Sequence, residues 1–105
     1  MVKIIKTKSI SLIVYSNEYD NYKKAFRFSG LLKEEFHNKV INTAIKKINK
    51  PNYKFKYSDF VRIQTNKPQL KFDLETYNAV KELSDKFKKP KTTILREIFC
   101  TYLEN

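Results

Sequence analysis

Lys67, Gln69 and Lys71 stand at alternate positions of the stretch KPQLKFD, with Leu70 and Phe72 between them. In an extended strand this period of two puts the polar residues on one face and the apolar pair on the other. The polar face is equipped for binding. Each ammonium offers a point charge with three donors, and the Gln69 carboxamide offers a donor and an acceptor side by side. Groups for bond-making chemistry are scarce by comparison. His37 is the only histidine and Cys100 the only cysteine. His37 has no second histidine or cysteine near it in the sequence, and a catalytic or metal-ligating role is not expected of it. One cysteine excludes an intramolecular disulfide and a cysteine metal cluster. Cys100 reads as a small core residue, and Glu34, Glu35 and Asp85 as surface charges. The expectation is a chain that is not an enzyme, holds no cofactor and shows no small-molecule ligand.

A strand with one basic and one greasy face has to be placed against something. Among 105 residues, 22 are Lys or Arg and 11 are Asp or Glu, for a net charge of +11. All the basic residues are lysine except Arg27, Arg62 and Arg96. Both halves of the chain carry the excess, so it belongs to the folded body and not to a tail. A polyanionic partner, nucleic acid or an anionic membrane surface, fits this balance. Codon bias toward Lys, Ile, Asn, Tyr and Phe is the bland alternative. No apolar run approaches the roughly 18 residues that cross a bilayer. The start MVKIIKTKSISLIV is interrupted by charge and has no cleavage site. An intracellular location follows as the expectation, in the host cytoplasm if the source is viral.

The second half has the clearer punctuation. Lys67 to Phe72 reads as a strand, and Asp73 as the N-cap of a helix. Tyr77, Val80, Leu83, Ser84 and Phe87 then recur at helical spacing. Lys86, Lys88 and Lys89 favour the C-terminal end, and Pro90 stops it. A second helix follows in KTTILREIFCTYLEN, striped by Ile94, Leu95, Ile98, Phe99 and Tyr102.

The first half repeats the order. SISLIVY alternates Ile10, Leu12 and Val14 against Ser9, Ser11 and Ile13. Ser16 or Asn17 can cap a helix striped by Tyr19, Tyr22, Ala25 and Phe26. Gly30, the only glycine, falls where that helix should end in a left-handed residue. A longer helix follows, with Phe36, Val40, Ile41, Ala44, Ile45 and Ile48 on one side, and Asn49 and Pro51 end it. The chain divides into a first strand–helix–helix unit (residues 1–50), an ordered linker (51–66) and a second unit (67–105). In the linker, Tyr53, Phe55 and Tyr57 alternate with Lys54 and Lys56, which leaves room for a short strand. Phe60, Val61 and Ile63 are candidates for packing. The fold class is mainly α with a short antiparallel β-ribbon.

These features resemble the ribbon-helix-helix (MetJ/Arc-like) family of DNA-binding regulators. In the second half the likeness runs from Lys67 to Leu103 and rests on the alternating strand, the cap after it, the short turn, and the pattern Ile94-Leu95-x-x-Ile98-Phe99-x-x-Tyr102. In the first half it is looser, from Ser9 to Ile48, with Ile13 at an outward position and a longer second helix. Chains with two such units occur among regulators of archaeal viruses, and this sequence looks like one of them. The resemblance implies that the two strands pair as a ribbon over a shared helical core. The outward side chains then enter the major groove of double-stranded DNA. It assigns base reading to Lys67, Gln69 and Lys71 and, less polar, to Ser9, Ser11 and Ile13. It assigns phosphate contact to Lys91, Thr92 and Thr93 at the start of the last helix, with Lys33 and Lys8 as the further cations. Glu34 and Glu35 follow Lys33 and would repel a phosphate.

The function implied is a sequence-specific transcription regulator, in the usual mode a repressor, associating as a homodimer over two subsites. Competing readings are a basic protein-interaction module and a non-specific DNA-packaging protein. The bland reading of Lys67, Gln69 and Lys71 is the solvated face of an edge strand.

Overall fold

The structure, a computed structural model, describes residues 7–57 and 66–103. Two strands and four helices follow in the order β1 (Thr7–Ser11), α1 (Ser16–Ser29), α2 (Lys33–Ile48), β2 (Gln69–Asp73), α3 (Leu74–Phe87) and α4 (Lys91–Thr101). The chain is mainly helical with one small antiparallel sheet, as its patterning predicts. Phe60, Val61 and Ile63 lie outside the described residues.

The halves repeat with a constant step. α1 starts at Ser16 and α3 at Leu74, and α2 starts at Lys33 and α4 at Lys91, so each second-half helix begins 58 residues after its counterpart. α1 and α3 are both 14 residues long, and each is followed by a left-handed residue, Gly30 at φ 68° and Lys88 at φ 53°. The glycine is the residue that tolerates this conformation. Lys88 adopts it at a steric cost of about 1–2 kcal/mol, and no sequence signal marks it.

β1 and β2 pair antiparallel, Thr7 with Asp73, Ser9 with Lys71, Ile10 with Leu70 and Ser11 with Gln69. Both strands differ from their sequence-read limits. β2 begins at Gln69 and not at Lys67; β1 ends at Ser11 and not at Tyr15. The cause is Pro68, which stands across from Leu12. Its carbonyl accepts from Leu12 N–H at 2.9 Å, but it has no N–H to return the bond. Pairing resumes for a single bridge, Val14 with Asn66. Asp73 caps α3 as expected, its Oδ1 accepting from Thr76 N–H at 2.8 Å. α1 starts one residue earlier than a Ser16 cap implies and two earlier than an Asn17 cap: Tyr15 is its N-cap, and Glu18 accepts from the Tyr15 N–H at 3.0 Å.

Leu12, Val14, Leu70 and Phe72 turn inward and are buried in one cluster with residues of all four helices, among them Tyr22, Phe36, Ile41, Val80, Leu83, Ile94, Ile98 and Phe99. Neither half closes a core alone. β1 of the first half pairs only with β2 of the second, and α2 of the first half packs on β2, α3 and α4.

At the far end of the linker Asn66 makes the single bridge to Val14, and from Pro51 to Tyr57 the linker is irregular. It lies across α4, held by Glu97. That carboxylate is fully buried. It accepts from the backbone N–H groups of Lys56 and Tyr57, both at 2.9 Å, and from the hydroxyls of Tyr53 and Thr101. Burial and the bond to Glu97 raise the Tyr53 phenol above its ordinary pKa, so Tyr53 remains the donor. Beside it, Arg96 forks onto the Glu18 carboxylate of α1 at 3.0 and 3.2 Å. Its guanidinium lies 5.3 Å from the ring centres of both Tyr15 and Tyr57. A buried carboxylate and a buried guanidinium thus fix the linker and α1 onto α4.

Candidate functional site

With Leu70, Phe72, Leu12 and Val14 turned into the core, the odd-numbered residues of both strands form the outer face. Ser9, Gln69 and Lys71 are exposed there, as is Lys67 just before β2; Ser11 and Ile13 are partly covered. The six residues assigned to this face from sequence are brought together on it. The register puts Ser11 opposite Gln69 and Ser9 opposite Lys71. Carried on to the Val14–Asn66 bridge, it puts Ile13 opposite Lys67.

Two contacts organise the face. Gln69 donates through Nε2 to Ser11 Oγ at 2.7 Å. This bond uses one N–H of an exposed carboxamide, which carries a second N–H and an acceptor oxygen besides. The Lys71 ammonium lies 3.9 Å from Glu34 of α2, both side chains about half exposed at 57% and 49%. Glu34 therefore competes with any anion that approaches Lys71.

Beneath the face, α2 seals the free edge of β2. Hydrogen bonds between the strands run through even-numbered residues, so the odd ones aim their N–H and C=O groups sideways. The Lys71 carbonyl meets His37 Nδ1 at 2.9 Å, and the Asp73 N–H donates to Asn38 Oδ1 at 3.1 Å. A carbonyl can only accept, so Nδ1 carries the proton and Nε2 accepts from the Tyr22 hydroxyl at 2.5 Å. Burial lowers the His37 pKa against the opposing pull of the Lys71 carbonyl, which keeps the ring neutral. Burial, with the neighbouring Tyr19, pushes Tyr22 up to about 12, which keeps it protonated. His37 is thus a buried strut holding the backbone of Lys71. Sequence reading assigned it no role, because its partners are a carbonyl 34 residues away and a tyrosine on another helix.

The residues assigned to phosphate fall in two places. Lys8 stands opposite Phe72 on the core side of the ribbon, exposed, with its ammonium 5.9 Å from the Tyr77 ring centre. Lys91, the first residue of α4, lies 5.8 Å from the same ring. One aromatic ring thus gathers cations from two distant segments. Thr92 and Thr93 follow in the first turn, which contains no acidic residue. Lys33 is exposed at the start of α2 and is followed by Glu34 and Glu35. The two helix starts therefore differ in charge.

Burial pushes the Cys100 thiol up to about 12, in keeping with a packing role. Among the described residues, no group of three His, Cys, Asp or Glu side chains could hold a metal ion, and no helix is long and apolar enough to cross a membrane. Comparison with protein-family models, with curated proteins and with solved structures gives no match.

Proposed function

We propose that this chain is a sequence-specific, non-enzymatic DNA-binding transcription regulator of the ribbon-helix-helix type. It lays the paired strands into the major groove and represses by occupying a promoter. The observation that carries the reading is the outer face of the ribbon. Five-residue strands, buried on the inner side by a helical core that both halves build, present Ser9, Gln69 and Lys71 to solvent, with Lys67 just before β2. A two-stranded ribbon fits a groove about 12 Å wide. In it Gln69 pairs with an adenine edge, and Lys67 and Lys71 donate to guanine or to phosphate. The net charge of +11 attracts the duplex, and Lys8, Lys33 and Lys91 with Thr92 and Thr93 take phosphates. Two chains cover two subsites as a homodimer.

The test is footprinting on promoters of the source genome, followed by binding measurements under excess random duplex. A protected site that survives the competitor supports a regulator. Protection that disappears with competitor supports non-specific packaging, and no protection at all overturns the reading. Gln69→Ala should cost about 1–3 kcal/mol on the protected site and little on random DNA. Lys91→Ala should weaken both alike and lower the slope of log affinity against log salt by about one.

A further inference from the structure

We infer that each chain reads a non-palindromic duplex element in one orientation, because the two ends of its ribbon carry different side chains and Glu34 widens that difference. This rests on the DNA-binding reading above and specifies the class of site it takes.

The constant step of 58 residues defines which outer-face residues are equivalent: Ser9 with Lys67, Ser11 with Gln69, Ile13 with Lys71. Ser11 and Gln69 are also direct partners across the ribbon, so the internal two-fold axis passes between them. The helix starts obey that axis; the ladder, unbroken from Thr7 and Asp73 to the axis and interrupted beyond it at Pro68, does not, and neither do the side chains. At the axis stands a serine bonded to a glutamine, which no rotation maps onto itself. At one end Ser9 faces Lys71; at the other Ile13 faces Lys67. No outer-face residue has its own kind at the equivalent position.

Glu34 widens the difference. It binds the Lys71 ammonium at 3.9 Å and, with Glu35, places two carboxylates in the first turn of α2. The equivalent positions in α4 are Thr92 and Thr93, with no acidic side chain in that turn. A palindromic element offers the same base edges and phosphates to both ends of a ribbon. Here one end offers a serine and a lysine that faces Glu34 at 3.9 Å, and the other an isoleucine suited to a thymine methyl beside a lysine. Their best partners differ, so the best element is asymmetric and is bound one way round.

The experiment is enrichment from a duplex pool with a short randomised window. A ribbon five residues long at about 3.3 Å per residue covers about five base pairs at about 3.4 Å each. A window of about six pairs thus accepts one ribbon and excludes an inverted repeat bound by two chains. The wild-type chain should enrich a sequence that differs from its reverse complement. Making that sequence palindromic from either half should weaken binding about 10-fold or more. The variant Ser9→Lys, Ser11→Gln, Ile13→Lys, Glu34→Thr gives both ends the same outer-face residues, and it should enrich a palindrome. Enrichment of a palindrome by the wild-type chain overturns the inference while leaving DNA reading intact. The same follows if the four-fold variant keeps the wild-type preference. Failure of the wild-type chain to enrich any sequence overturns specific reading itself. Should the variant not fold, the symmetry of the wild-type sequence and of its palindromic derivatives decides alone.

Discussion

Replacing His37 with leucine tests whether the ribbon depends on a strut beneath it. The imidazole is 1% exposed and holds two groups at once, the Lys71 carbonyl and the Tyr22 hydroxyl. Leucine fills much of the volume but bonds neither. A buried polar group left without a partner costs about 1–3 kcal/mol. The Tyr22 hydroxyl is enclosed, whereas the Lys71 carbonyl lies at the edge of a ribbon and recovers part of its bond from water. His37→Leu should therefore lose about 2–4 kcal/mol in urea unfolding at pH 7.5, a large share of the 5–15 kcal/mol usual for a domain. The loss should depend on pH. Burial depresses the folded pKa below the unfolded value of about 6.5. The contribution of neutral His37 is whole above that value. As pH falls, the unfolded chain takes up a proton that the folded chain refuses, and the contribution is lost on the way down through the folded pKa. Because His37 is the only histidine, the gap between wild type and His37→Leu should narrow from pH 7 to pH 5. A loss under about 1 kcal/mol, or a gap that stays constant over that range, would refute the strut.

Glu34→Gln should raise affinity for any duplex by up to about 1 kcal/mol at low salt, about five-fold, because an exposed ion pair of this kind is worth about 0–1 kcal/mol. The gain should fade as salt rises, and titration by fluorescence anisotropy at two salt concentrations measures it. Glu97→Ala leaves the Lys56 and Tyr57 N–H groups and the Tyr53 hydroxyl without their charged acceptor. It should cost about 3–5 kcal/mol, with faster hydrogen exchange at those two amides as the local sign; unchanged exchange would count against the clamp. Lys88→Gly should stabilise the chain by up to about 1 kcal/mol by relieving a left-handed lysine, whereas Gly30→Ala should destabilise it by about 1 kcal/mol. Thermal melts of the two variants, expected to move in opposite directions, check the equivalence of the turns.

How far the fold can be read from the sequence depended on whether the signal was local. Asp73 and Gly30 act on their own neighbourhood, a cap on Thr76 and a left-handed turn, and both are recognisable by residue type. The alternation around Leu70 and Phe72 is equally local, and it yields the inward and outward faces of β2. The strand limits were less legible, because the shortening of β1 comes from Pro68, a residue about sixty positions away that meets Leu12 only after folding. Arg96 and Glu97 show the same limit more sharply. On the helical pattern of α4 they stand off the apolar stripe, where solvent is expected. They are buried because Tyr53 to Tyr57 cross that side of the helix and supply a partner for each.

The same distinction bears on the candidate site. Residue type alone singles out Lys67, Gln69 and Lys71. What those side chains can do is set by residues that no pattern connects to them. Ser11 bonds the carboxamide, Glu34 faces the ammonium, and His37 holds the carbonyl of the residue that carries it. Two of these three partners, Glu34 and His37, come from α2, one turn apart. α4 offers Thr92 and Leu95 at the equivalent places, and neither can act as a carboxylate or an imidazole. The carboxylate and imidazole that act on the ribbon from α2 thus both act on β2. Substitutions on α2 should alter binding through Lys71, while equivalent substitutions on α4 act on β1, whose Ser9, Ser11 and Ile13 carry no charge. In a chain whose helices begin at the same spacing in both halves, the two ends of the ribbon thus differ in their side chains and in the break at Pro68.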